Sequence, residues 1–342
     1  MSLQAPSFWW HKSGWQALAL WPLSYVYGRV AARRMVKARR YTPSVAVICI
    51  GNFTLGGAGK TPTALALAKA AKALGFTPGF LSRGYGGSTS SLLIVDPAHH
   101  RADAVGDEPL LLAAQALTVI SRNRKDGAMA LERQGVDLII MDDGFQSAKL
   151  SIDLALLVVD SRRGIGNGLV FPAGPLRAPL GAQIAQMHTL LKVGTDDKAT
   201  ALVRHAARAG RPVLTATIQP VAVDPAIKGR VLAYAGIADP EKFYASLRGV
   251  GAEIVIAKSF GDHQPLDAAA IADLLDTAQS NGLQLVTTAK DIARLQGSAE
   301  LRSRDLVRMS LVLSIDMAFD DPGAPAMLIH QAMDACRARK LN

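Results

Sequence analysis

Short apolar runs rich in β-branched residues punctuate the chain, separated by longer stretches with apolar positions every three or four residues. Residues 45–50 (Val-Ala-Val-Ile-Cys-Ile), 138–141 (Leu-Ile-Ile-Met), 231–234 (Val-Leu-Ala-Tyr) and 283–286 (Leu-Gln-Leu-Val) read as buried strands bounded by turn formers. A helical pattern runs from about Thr61 to Leu74 and stops at Gly75, and another covers residues near 323–338. Strands alternating with helices predict an α/β fold with a mainly parallel sheet. Pro220, Pro225 and Gly229 mark a linker over 218–230. It divides a first domain, 41–217, from a smaller α/β domain, 225–312, after which a C-terminal helix within 318–342 returns to the first domain. No internal repeat or low-complexity segment is evident.

The first 40 residues have a different pattern. Ser13 to Gly28 is uncharged and mostly apolar, but this is only 16 residues, and Pro22 interrupts it. A spanning helix needs roughly 20 apolar residues. A cleaved leader would carry its charges before the apolar run, whereas here the main basic cluster follows it. The segment 1–40 therefore reads as an amphipathic interfacial element. Tryptophan and tyrosine favour the headgroup level, and each following Lys or Arg adds about 1 kcal/mol of attraction to anionic lipid.

Composition sharpens this picture. The chain has 342 residues, 49% of them hydrophobic, so it can bury a sizeable core. Its two cysteines, Cys49 and Cys336, lie far from metal-ligand spacing, which excludes a cysteine-based zinc site and suits a reducing compartment. The net charge of +10 invites a nucleic-acid reading, but its distribution argues otherwise. Residues 1–95 hold eleven Lys and Arg and no acid; the rest carries 27 bases against 28 acids. All four tryptophans, Trp9, Trp10, Trp15 and Trp21, precede most of the bases instead of interleaving with them as single-strand binders do. An anionic membrane surface is the expected partner; nucleic acid is not, and no obligate protein partner is evident.

The strand at 45–50 leads into Gly51-Asn52-Phe53-Thr54-Leu55-Gly56-Gly57-Ala58-Gly59-Lys60-Thr61-Pro62 and then a helix. Strand, glycine-rich loop, Gly-Lys-Thr and helix together form the context of a phosphate-binding P-loop. Backbone N–H groups of Thr54 through Thr61 would converge on phosphate oxygens at a helix N-terminus. Lys60 would reach the β- and γ-phosphates of ATP, and the Thr61 hydroxyl would ligate Mg²⁺. Thr54 replaces the usual first glycine. Leu55 occupies the place where partitioning ATPases carry a second lysine, which counts against that class.

A second apolar strand ends in Asp142-Asp143-Gly144, the Walker B arrangement, with its carboxylates delivered to the ligand crevice. Asp142 is the natural Mg²⁺-side carboxylate, and Asp143 could hold the loop, the lysine or the nucleophile network. Asp107 and Glu108 read as the start of a helix. Asp262-His263 lies in a polar turn between a strand and a helix, and Thr287-Thr288-Ala289-Lys290-Asp291 follows a strand where it could bind phosphate or cap a helix.

These segments, in this order, resemble the tetraacyldisaccharide 4'-kinases of lipid A biosynthesis. The resemblance rests on the phosphate loop, Ser82-Arg83-Gly84-Tyr85-Gly86, Gly106-Asp107-Glu108-Pro109 and Asp142-Asp143-Gly144-Phe145-Gln146. It extends to Gly166-Asn167-Gly168 leading into Pro172-Ala173-Gly174-Pro175-Leu176-Arg177, then Asp262-His263 and the 287–291 segment. It implies ATP- and Mg²⁺-dependent phosphorylation of the 4'-hydroxyl of an acylated glucosamine disaccharide 1-phosphate, giving lipid IVA, by a peripheral enzyme on the cytoplasmic face of the bacterial inner membrane. It further implies an Asp107–His263 pair that activates the sugar hydroxyl, a Mg²⁺ site near Thr61, Glu108 and Asp142, and substrate contacts at Arg83, Arg122 and Arg177. Family members often carry a second histidine where this chain has Gln264, and a glutamate where it has Ala178, so roles for those side chains do not carry over. A membrane-recruited P-loop ATPase switch without a small-molecule acceptor is the alternative. With Asp107 and His263 on different domains, closure on bound substrates is expected to bring them together.

Overall fold

The computed structural model describes residues 5–37, 40–147, 149–298 and 300–341. Arg39 of the basic cluster and the extreme ends of the 1–40 and 318–342 segments lie outside the described residues. In chain order the strands are β1 Ala46–Asn52, β2 Pro78–Ser82, β3 Leu93–Ile94, β4 Leu117–Ile120, β5 Leu138–Asp142, β6 Leu154–Asp160 and β7 Thr189–Val193. They continue with β8 Val213–Pro220, β9 Arg230–Ala235, β10 Glu253–Ser259, β11 Gln284–Thr287, β12 Ser310–Val312 and β13 Ile315–Phe319.

Nine strands form one sheet in the order β13-β8-β7-β6-β1-β5-β2-β4-β3. The interior strands pair in parallel, and only the outer strands β13 and β3 pair antiparallel. The strand β1 sits centrally between β5 and β6, and the chain leaves it first toward one edge and later toward the other. Such a switch point opens a crevice at the carboxyl ends of the strands. Because helices cover both faces, β1 is apolar on both sides instead of alternating. Val47 and Cys49 face one core cluster, and Ala46, Ile48 and Ile50 face the other.

The helix Ala324–Leu341 lies on the second of these faces, burying Leu328, Ile329, Ala332 and Cys336. Arg339 anchors its end, donating from Nε to Asp153 Oδ1 at 2.9 Å and from Nη1 to the Pro43 carbonyl at 2.8 Å.

The four strands β10-β9-β11-β12 form a separate, all-parallel sheet. Alternate residues of β9 serve its two faces: Val231, Ala233 and Ala235 on one, Leu232 and Tyr234 on the other. This smaller unit lies in the chain between β8 and β13, which pair with each other, and the Val221 N–H donates to the Ser314 carbonyl at 2.9 Å. It meets the larger sheet where the helix Ala289–Leu295 packs against the helix Asp107–Ala113, with Ala293 among Val105, Leu110 and Ile120.

The N-terminal helix runs unbroken from Trp15 to Lys37, straight through Pro22. Its docked seam is narrow and made mainly of small residues: Ala17, Ser24, Gly28 and Met35 are buried. Ser24 Oγ donates to the Val170 carbonyl at 2.6 Å. The rest of the helix turns Trp15, Leu18, Trp21, Leu23, Tyr25, Val26 and Val30 to the outside, with Arg29, Arg33 and Arg34 exposed beside them. No described helix is long and apolar enough to cross a membrane.

Candidate active site

The P-loop follows β1 and enters the helix Lys60–Ala73 through Gly59, whose φ of +91° is open to glycine and strained for other residues. Asn52 braces the loop, donating from Nδ2 to the Gly56 carbonyl at 2.9 Å. The 175–177 segment clamps its first half: the Leu55 N–H donates to the Pro175 carbonyl and the Arg177 N–H to the Phe53 carbonyl, both at 2.9 Å. Thr54 and Leu55 thus act through their backbone.

Parallel pairing of β1 with β5 aligns Ile50 with Asp142, so both acids at the end of β5 emerge beside the loop. Asp143 stands at φ +52°. Arg177 grips its carboxylate with two nitrogens, Nη1 to Oδ1 at 2.6 Å and Nη2 to Oδ2 at 3.0 Å, and Lys60 Nζ lies 3.8 Å from Oδ2. Burial opposes charge on Asp143, but Lys60 and Arg177 outweigh it and hold the carboxyl below the usual carboxylate range.

Asp142 is the opposite case. Burial first, then the nearby Glu108 carboxylate, pushes its acid up to about 7 against the pull of Lys60. Its Oδ1 is buried without a hydrogen-bond partner. An orphaned buried carboxylate oxygen near a second acid, Glu108, fits a divalent cation. Among the described residues no three His, Cys, Asp or Glu side chains converge on a metal. Mg²⁺ fits such a site, because it is commonly held by one or two carboxylates plus phosphate oxygens and water.

Across the crevice, Asp107 and Glu108 begin their helix as expected, and Asp107 is buried. His263, in the loop after β10, places Nδ1 3.0 Å from Asp107 Oδ1 and Nε2 3.7 Å from Asp262 Oδ1. Its backbone is at φ +56°, and Tyr85 packs edge-on against its ring at 5.7 Å. Among the described residues only Asp143, Ala222 and His263 are non-glycine with positive φ, so two of the three strained positions fall in this site.

The hydrogen bond with Asp107 is the leading cause raising the His263 pKa above its ordinary value, partly opposed by burial. For Asp107, burial opposes ionisation, but the His263 hydrogen bond and the charges of Lys290, His263 and Arg294 together hold the acid well below the usual range. Lys290 Nζ lies 2.7 Å from Glu108 Oε1. The two side chains expected to meet only on closure around substrates are therefore already in contact in this structure.

Comparison with known proteins decides what this crevice belongs to. Residues 16–333 match the family model described as tetraacyldisaccharide-1-P 4'-kinase. The chain is 61% identical to the tetraacyldisaccharide 4'-kinase of Allorhizobium ampelinum, covering 98% of this chain and 99% of that one. It is 57% identical to the enzyme of the same name from Rhizobium etli, over 100% of this chain and 98% of that one. The chain belongs to the tetraacyldisaccharide-1-P 4'-kinase family. Among solved structures it resembles LpxK from Aquifex aeolicus in complex with ATP, with a TM-score of 0.72 and 26% identity, over 93% of this chain and 99% of that one.

As a member of the 4'-kinase family, the chain brings Lys60, Thr61, Asp142, Asp143, Glu108, Asp107, His263 and Arg177 to one crevice. The structure adds constraints on these side chains. Arg177 is engaged with Asp143 and, through Nε, with the Thr54 carbonyl at 3.0 Å. Arg83 and Arg122 are exposed and stand outside this ion-pair network. Where family members often have histidine, the Gln264 side chain accepts the Gly261 N–H at 2.9 Å and closes the turn that carries His263. Ala178 is buried in the core.

Two site residues escaped the reading of the sequence. Arg124, two residues past Arg122, is buried and donates from Nη2 to the Asp142 and Asp143 carbonyls at 3.3 and 3.2 Å. Arg294 contacts Asp107 from 187 residues away. Arg294 stands in the last turn of its helix, where a basic residue is ordinarily a dipole or solvent contact, and Arg124 is the first residue of its own, so no local signal marks either one.

Proposed function

We propose that this protein transfers the γ-phosphoryl group of ATP to the 4'-hydroxyl of tetraacyldisaccharide 1-phosphate, giving lipid IVA. The observation that carries this reading is one crevice, in a chain of the 4'-kinase family, that faces a P-loop lysine and two Walker B carboxylates with an Asp107–His263 pair. Transfer of this kind needs mainly positioning and charge neutralisation. The backbone of Thr54–Thr61 cradles the phosphates, and Lys60 supplies positive charge to the β- and γ-oxygens. Thr61, Asp142 and Glu108 would hold Mg²⁺, which when bound offsets charge on the phosphate oxygens. Asp143, tied to Arg177 and Lys60, fixes the lysine and the loop.

Asp107 takes the hydroxyl proton as that oxygen bonds to phosphorus, with His263 hydrogen-bonded to its Oδ1 and orienting the carboxylate. A carboxylate held this acidic is a weak base, so the proton leaves late, as the bond to phosphorus forms. Arg83 and Arg122, exposed and outside the ion-pair network, are available to the 1-phosphate and sugar of the acceptor. The larger sheet with its N- and C-terminal helices and the smaller sheet act as two domains, the smaller supplying His263, Lys290 and Arg294.

The outer face of the Trp15–Lys37 helix supports peripheral attachment to the anionic cytoplasmic face of the bacterial inner membrane. Its exposed aromatics suit the headgroup layer, and its arginines suit anionic lipid. Incubation of the purified protein with labelled ATP, Mg²⁺ and tetraacyldisaccharide 1-phosphate tests the reading. Stoichiometric label on the disaccharide is expected. Phosphate released to water at the same rate with and without the acceptor would instead mark an ATPase switch.

A further inference from the structure

Asp107 is held by more than its histidine. Its Oδ1 faces His263 and accepts the Glu108 backbone N–H at 2.9 Å. Its Oδ2 accepts Arg294 Nε–H at 2.9 Å. Arg294 Nη2 lies 2.8 Å from the same oxygen but is poorly aligned for a hydrogen bond, so that contact is Coulombic. The remaining nitrogen, Nη1, turns back into the smaller unit and donates to the Gly236 carbonyl at 2.6 Å and to Asp291 Oδ1 at 3.0 Å. Asp291 Oδ1 in turn accepts the Gly236 N–H at 2.9 Å.

The guanidinium therefore joins the end of β9 to the carboxylate at the start of the Asp107–Ala113 helix. Gly236 makes room for it. A methyl group there would sit 2.9 Å from Arg294 Nη1 and 3.2 Å from Asp291 Oδ1.

We propose that Arg294 is a positioning residue for phosphoryl transfer: it fixes Oδ2 of Asp107, leaves Oδ1 to His263 and the acceptor hydroxyl, and makes that orientation depend on docking of the Ala289–Leu295 helix. The inference rests on the reading of Asp107 and His263 as the proton-accepting pair. A planar guanidinium fixes direction as well as charge, which the point charge of a lysine does not. Orientation matters because a misplacement of about 1 Å at a reacting group costs on the order of 10²-fold in rate.

The test uses the full-length protein with ATP, Mg²⁺ and tetraacyldisaccharide 1-phosphate, comparing Arg294→Gln, Arg294→Lys and Gly236→Ala with wild type. Arg294→Gln is expected to lower kcat by about 10²-fold while KM for ATP stays near the wild-type value. Arg294→Lys should recover part of that loss, because it restores the charge but not the fork. Gly236→Ala keeps the arginine and displaces it, so it should lower kcat with the same unchanged KM.

Wild-type kcat in Arg294→Gln or Gly236→Ala overturns the proposal. So does a lysine variant no better than the glutamine one, or a rise in KM for ATP matching the fall in kcat. Should Arg294→Gln fail to fold, the other two variants decide. An inactive wild-type protein overturns the functional reading and this inference with it; an active wild type with a silent Arg294→Gln overturns this inference alone.

Discussion

Asp107 is buried and charged, and it is kept so by three side chains, His263, Lys290 and Arg294. Replacing it by alanine removes the proposed proton acceptor and leaves the P-loop intact. Asp107→Ala is expected to lower kcat by about 10²- to 10⁴-fold with little change in ATP affinity, measured by steady-state kinetics and nucleotide titration. His263 carries a linked stability signature. Its folded pKa lies above its unfolded value of about 6.5, so the pair stabilises the fold fully below that pH and loses its contribution as pH rises through the raised value. The difference in Tm between wild type and His263→Gln should be widest at mildly acid pH and narrow in alkali. A gap independent of pH would remove the charged pair as its cause.

Lys60, Asp142 and Asp143 were legible in the sequence because each sits next to its own strand, loop or helix signal. Arg294 and Arg124 were not, because a Coulomb partner 187 residues away, or a carbonyl on a neighbouring strand, leaves no trace in local pattern.

At the scale of elements, β1 and β5 were readable as unbroken apolar runs, since both of their faces are covered. The edge strand β10 alternates exposed and half-buried positions and was recognised only as a strand preceding a polar turn. The N-terminal helix shows what apolarity alone conceals. Its aromatics mark it as interfacial but not which residues dock it: small residues form the seam, and most of its large apolar side chains point away from the protein. The two faces should therefore respond differently to mutation. Trp21→Glu with Val26→Glu on the outer face is expected to reduce sedimentation with anionic vesicles and leave Tm unchanged. Ser24→Leu, which forces bulk into the seam and removes the bond to Val170, is expected to cost about 1–3 kcal/mol in denaturant unfolding. If the outer-face pair destabilised the fold instead, that face would be packed against the protein.

Taken whole, the molecule carries the P-loop and the two acids of β5 on one sheet and His263, Lys290 and Arg294 on the unit built round the other. The stem between them gives this arrangement an unusual property. The paired strands β8 and β13 bring Pro220 and Ile315 side by side, so everything from Val221 to Ser314 enters and leaves at one point. The smaller sheet is in effect a cassette. Replacing it with a two-residue hairpin turn would close the stem in its native register. The trimmed protein is expected to fold around the nine-stranded sheet and to bind a fluorescent ATP analogue. It should transfer no phosphate, because His263, Lys290 and Arg294 leave with the excised piece.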